Sequence, residues 1–237
     1  GAGLLYLRRF LTTGPTNMKH PLSLALATAL STLALGACQV PVKNTTTAGK
    51  MAAANEAGNP FFAPSTLPLH YPPFDKIKDS DFAPAFDRGM AEQLKEIDAI
   101  ANDPQAPTFD NTIVAMEKSG RVLDRATSVF FNLVGADTND ARKKIQADYS
   151  ARFAAHQDAI SLNPKLFARI QTLYAHRDTL GLDAEGVRLV ERYHDDFVRA
   201  GAQLSDADKA RLKEINGELA KLGTQFNQNV LAEVNES

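Results

Sequence analysis

The chain has 237 residues, 44% of them apolar, enough to bury a sizeable core in one large domain or two small ones. Its 28 acidic and 26 basic residues nearly cancel, and no long run of one sign marks a footprint for nucleic acid or anionic lipid, so no nucleic-acid partner is expected. The single cysteine, Cys38, excludes an internal disulfide and any metal site built on paired Cys ligands.

Residues 1–17, with Arg8 and Arg9, precede a better start at Met18 and read as an upstream extension. Residues 18–37 read as a lipoprotein-type signal: a short basic start, then an apolar run from Leu22 too brief to cross a bilayer comfortably, ending Leu35-Gly36-Ala37-Cys38. The alternatives are a plain signal peptide with a chance cysteine, or a buried helix. The lone cysteine at this one place favours the lipoprotein reading, with Cys38 the acylated lipid anchor. Gln39 follows it, which points to the outer membrane and so to a location in the cell envelope, on the periplasmic side. The stretch 38–58 is rich in Thr, Ala, Gly and Asn, almost without large apolar residues, and reads as a flexible tether.

Residues 59–79 interleave Pro60, Pro64, Pro68, Pro72 and Pro73 with Phe61, Phe62, Leu67, Tyr71 and Phe74. Proline blocks regular helix while the aromatics need something to pack on, so this is expected to be an extended arm lying across the body. Helical period then dominates from residue 80 to 237. A first helix is expected over Ser80–Ala101, with Phe82, Phe86, Met90, Leu94 and Ile97 on one stripe and Asn102-Asp103-Pro104 as its stop. A second is expected over Thr108–Val134, with Gly120 inside it, a costly residue in mid-helix unless something packs close there.

Thr138-Asn139-Asp140 caps a third helix carrying Ile145, Tyr149, Phe153 and Ile160, and Asn163-Pro164 opens a fourth that Gly181 ends. Asp183 caps a fifth, stopped near Gly201, and Ser205 with Asp208 opens a sixth in the manner of a capping box. In the sixth, Leu212, Ile215, Leu219, Leu222 and Phe226 alternate at spacings of three and four, a seam for packing on partner helices. Val230 and Val234 continue the stripe, so the domain is expected to be cut short and the seam's partners to include helices outside this sequence. No run of alternating β-branched residues argues for a sheet. The fold class is therefore all-α, about six helices.

The search for chemistry returns little. His70 lies in the arm, and His156, His176 and His194 lie on helices without the His-x-x-x-His spacing that sets two imidazoles on one helical face. In His194-Asp195-Asp196 adjacent positions diverge by about 100°, too far to close on one ion. Glu191 and Asp195 stand one turn apart and could pair as acid and base, but exposed carboxylates at that spacing are commonplace. Ser119, Ser128 and Ser150 lack a Gly-x-Ser-x-Gly context. No catalytic residue and no metal ligand is expected in this chain.

Several short pieces, in order, resemble the opening of bacterial peptidyl-dipeptidases of the thimet oligopeptidase family. They include Asn59-Pro60-Phe61, Pro84 to Met90, Asn111-Thr112-Ile113, Thr138-Asn139-Asp140, Leu166 to Ile170, Leu180 to Asp183 and Gln225 to Gln228. The resemblance implies a zinc metallopeptidase that removes C-terminal dipeptides from short peptides, with a two-lobed, mostly helical fold around a deep channel. It implies zinc held by a His-Glu-x-x-His helix that this sequence lacks, with the present chain as the N-terminal portion and the remainder of the same protein as its partner. The alternative is a non-catalytic helical envelope lipoprotein that acts as a binding or structural module; composition alone would also allow an envelope bundle with no link to peptides.

Overall fold

The computed structural model describes residues 58–236. The extension 1–17, the signal 18–37, the anchor Cys38 and the tether as far as residue 57 lie outside the described residues. Among the described residues there is no strand, and the expected all-α class holds. Six helices follow in order: α1 (Asp79–Ala101), α2 (Arg121–Ala136), α3 (Asp140–Ser161), α4 (Pro164–Ala175), α5 (Ala184–Arg199) and α6 (Asp206–Glu236).

The caps read from the sequence form. Asn139 Oδ1 accepts from Arg142 N at 2.8 Å, Asn163 Oδ1 accepts from Lys165 N and Leu166 N, and Asp183 Oδ1 accepts from Gly186 N at 2.8 Å. Ser205 Oγ accepts from Asp208 N and donates to its carboxylate at 2.7 Å. Each such cap satisfies amides that the helix start leaves open and is worth about 1 kcal/mol.

The expected single helix over Thr108–Val134 is not what forms. A wide π-type turn (Phe109–Val114) leads into one helical turn (Ala115–Lys118), the chain breaks at Ser119 and Gly120, and α2 begins after the break. Gly120 has φ 72°, in the left-handed region, and its N–H donates to Glu96 Oε2 at 2.7 Å. A Cβ there would fall 2.4 Å from Gln93 Nε2, so something does pack close at Gly120, but at a corner rather than in mid-helix. The apolar period runs unbroken across this corner because the two sides serve different cores. Ile113 and Met116 enter one, Leu123 and Phe130 the other. The fourth helix also stops short of Gly181, ending at Ala175 before a 3-10 turn (Arg177–Thr179).

Around α1 the body divides into two cores. At its N-terminal half, α2 and α3 close on Phe82, Phe86 and Met90, and Phe86 has ring centroids 5.0 to 5.2 Å from Phe130, Tyr149 and Phe153. Gly89 allows this approach: a Cβ there would lie 2.6 Å from the backbone nitrogen of Leu123. At the other half, α4, α5 and the Phe109–Lys118 segment bury Ile97, Ile113, Leu166, Ile170, Val190 and Phe197.

The arm packs at its two ends, through Phe61 and Phe62 at its start and Ile77 near its close. Phe61 is buried, its carbonyl accepts from Arg125 at 2.8 Å, and Asn59 Nδ2 donates to Asp81 O at 2.7 Å. Leu67, Tyr71 and Phe74 face solvent instead of the body, and a 3-10 turn (Pro68–His70) interrupts the extended course.

Against α3, α6 lies antiparallel. Asn216 Nδ2 donates to Asp158 Oδ1 at 2.8 Å, while further along α6 Gln228 Nε2 donates to Lys143 O at 2.9 Å, near the start of α3. The face of α6 turned to α3 is small or polar, with Ala220 buried and Asn216, Gly217, Gly223 and Thr224 half-buried. Leu212 and Leu231 are half-buried as well, whereas the large residues between them point the other way. Leu219, Leu222 and Phe226 are 56%, 66% and 67% exposed, and Ile215 and Val230 are exposed too.

Candidate functional site

The polar residues within the body are occupied in holding helices together. Arg169, buried on the apolar face of α4, donates through its guanidinium to the carbonyls of Asp103 and Gln105 at 3.0 Å and to Asn111 Oδ1 at 2.8 Å. Two of the recognised pieces, Leu166 to Ile170 and Asn111 to Ile113, thus meet in one network, and Asn111 also caps the turn through Thr108. In the same way Asn139 and Arg142 at the start of α3 hold Asp79 at the start of α1, at 2.8 and 2.7 Å.

Two tyrosines are held similarly. Tyr149 O–H lies 2.8 Å from Asp87 Oδ1 and 3.0 Å from Ala83 O, where burial first and then Asp87 push its pKa up to about 12. Tyr193 donates to Glu117 Oε1 at 2.6 Å, and burial followed by that carboxylate pushes its pKa up as well. A phenol that must stay protonated to hold its partner serves as a fastener, not as a base at neutral pH.

The histidines scatter. His156 is buried on α3 with Nε2 2.7 Å from Gln93 Oε1, and its Nδ1 is buried with no hydrogen-bond partner. Burial pulls its pKa down to about 4, so the ring is neutral, with the proton on Nε2 donated to Gln93. His70 and His176 are exposed and bond to the carbonyls of Ser65 and Thr172.

His194 stacks on Tyr174, centroids 3.8 Å apart and planes within 7°, with Phe167 at 5.9 Å. Its Nδ1 is 3.6 Å from Asp195 Oδ1. Glu191, considered with Asp195 as an acid–base pair, is engaged instead by Arg188 at 3.1 Å and Arg177 at 3.5 Å, close enough at Arg177 for charge attraction though not for a hydrogen bond. Ser119 and Ser150 donate to the helix carbonyls of Met116 and Ala147, and Ser128 is exposed on α2.

Among the described residues no three His, Cys, Asp or Glu side chains stand close enough to share a metal ion. The donors among the described residues are too scattered to fit zinc: His156 Nε2 is engaged by Gln93, and no group of three donors gathers around His194. The residues that sequence reasoning passed over are Gln93, Arg169 and Gly89. The first two carried a signal, a polar residue within an apolar stripe: Gln93 between Met90 and Ile97, and Arg169 between Leu166 and Ile170.

What the fold defines is therefore a helical scaffold with inward fasteners and one uncovered apolar face. Its sequence is similar to those of bacterial dipeptidyl carboxypeptidases, as its motifs indicated. It is 50% identical over 174 residues to the dipeptidyl carboxypeptidase of Escherichia coli strain K12, a match that covers 73% of this chain and 26% of that protein. It is 49% identical over the same shares to the dipeptidyl carboxypeptidase of Salmonella typhimurium. A distant relative is organellar oligopeptidase A of Arabidopsis thaliana, 26% identical over 166 residues, which are 68% of this chain and 20% of that protein. No family model matches the chain. The chain spans about a quarter of the length of the bacterial relatives it matches.

Proposed function

We propose that this chain is the scaffold portion of an exported peptidase that removes dipeptides from the C-termini of short peptides. In this reading its helices form one wall of a substrate channel in a two-lobed helical fold. Zinc and the catalytic residues belong to polypeptide beyond the described residues, and no step of the reaction is assigned to a residue here. The observation that carries the reading is the match at half identity over 174 residues to proteins named for that activity. The exported location and the anchor rest on the signal-like residues 18–37 and on Cys38.

A hybrid tests the reading. The matched quarter of the Escherichia coli enzyme is replaced by the aligned residues of this chain, and dipeptide release from short peptides is measured. Retained release supports it; a folded hybrid without release overturns it. Cys38→Ala in the full sequence tests the anchor separately, by loss of the lipid mass increment and of membrane fractionation. An unchanged mass or fractionation would remove the anchor from the proposal.

A further inference from the structure

Polar ties at two levels fix the rotation of α6 about its own axis. Asn216 to Asp158 and Gln228 to Lys143 and Gln146 pin one side of the helix to α3 at two well-separated levels. Ala220 is buried on that side, against α3. The helix therefore cannot roll to bury Ile215, Leu219, Leu222, Phe226 and Val230 without breaking the ties at both levels. These five large side chains form one stripe in water, each forgoing the stabilisation that burial would bring. From Leu222 to Ala232 α6 carries no charged residue, so the half of the face around Phe226 and Val230 has nothing with which to attract a phosphate or a charged headgroup. Its chemistry fits an apolar, uncharged protein surface.

We propose that this face is the docking surface for the part of a dipeptidyl carboxypeptidase polypeptide that lies outside the matched quarter. The proposal rests on the reading of the chain as a portion of a longer peptidase. The choice of occupant follows from length: the matched residues are 26% of the Escherichia coli protein, so about three quarters of that polypeptide has no counterpart among them. A helix with Ala220 and the bonded Asn216 and Gln228 on one side and five large apolar residues exposed on another suits a place between two layers, of which α3 is one.

The test uses the hybrid described above, with a photo-reactive phenylalanine analogue at position 226 and, in a second version, the pair Leu222→Lys and Phe226→Lys. Cross-links from position 226 to residues outside the matched quarter are expected, together with a fall in the Tm of the hybrid of at least about 3 °C for the lysine pair. The same pair in the isolated chain is expected to shift Tm by less than about 1 °C. If the hybrid releases dipeptides while position 226 links only to another copy, or to nothing, and the lysine pair leaves Tm unchanged, the docking proposal is overturned and the functional reading stands. A hybrid that folds, cross-links as expected and releases no dipeptide supports the docking surface and overturns the functional reading. Should the hybrid not fold, the analogue placed in the Escherichia coli enzyme itself, at the position aligned with Phe226, decides between the same two cross-linking outcomes.

Discussion

Helices α1 and α6 carry large apolar residues at the same spacings of three and four and use them in opposite directions. In α1 Phe82, Phe86, Met90 and Ile97 of the expected stripe are buried, covered on one half by α2 and α3 and on the other by α4 and α5, and Leu94 alone of the five is exposed. In α6 the stripe faces out and the small residues face in. Periodicity thus fixes which residues share a face and says nothing about what covers it. Covering depends on where close approach is possible, and that is set by the smallest residues. Gly89 lies on the side of α1 that faces α2, where a Cβ would fall 2.6 Å from Leu123 N, whereas on α6 the small residue that is buried, Ala220, lies opposite the stripe.

Substitutions can break this comparison, beginning with the largest effect. Phe86→Ala removes a ring packed against four others, and urea denaturation should report a loss of about 3 to 5 kcal/mol. A loss below about 1 kcal/mol would mean that the core around α1 is no better packed than the stripe of α6.

The next effect depends on pH. The folded-state pKa of His156 is held below its unfolded value, so its contribution to stability is full above about pH 6.5 and drains away as pH falls through about 4. The wild-type urea midpoint should therefore drop more steeply between pH 6.5 and 4 than that of His156→Gln, by up to roughly 3 kcal/mol at the acid end. Parallel pH profiles would show that the ring is solvated.

Ala220→Leu should cost about 1 to 3 kcal/mol, because the added bulk meets α3 where Ala220 is buried. Residues 206–236 should then exchange their amide hydrogens faster while α1 to α5 keep their protection. Phe226→Ala should change the stability of the isolated chain by less than about 0.5 kcal/mol, although it removes the same ring as Phe86→Ala. A cost near that of Phe86→Ala would show that the stripe is covered in solution.

Much of the fold was legible in the sequence, because its starts rest on local chemistry. Asn139, Asn163, Asp183 and Ser205 bond amides within three residues of themselves, and no distant part of the chain is needed to place them. The corner at Gly120 was not legible. The apolar period passes through it undisturbed, and its cause, Gln93 and Glu96 on the preceding helix, is long-range. The end of α4 at Ala175 was missed because Gly181, the visible stop, closes the 3-10 segment that follows. At the level of sites, the motifs that carried the resemblance proved to hold fasteners such as Asn59, Asn111 and Arg169, whose partners lie between 22 and 66 residues away along the chain. Glu191 and Asp195 looked like a pair on helical spacing alone, but Arg177, from the 3-10 turn beyond α4, helps claim Glu191.

The grip of Arg169 has a consequence for how the chain opens. The segment from Asp103 to Asn111 contains Pro104 and Pro107 and little regular structure, the kind of stretch in which proteases find their first cut. Here two of its carbonyls and one side-chain oxygen are bonded to a guanidinium that is itself buried in α4. Prising the segment into a protease cleft would strand a cation beneath α4 without its acceptors, and buried charge is costly to leave unpaired. Digestion at this segment therefore waits on the separation of α4 from α1, and its rate reads the opening of that core rather than the looseness of a loop.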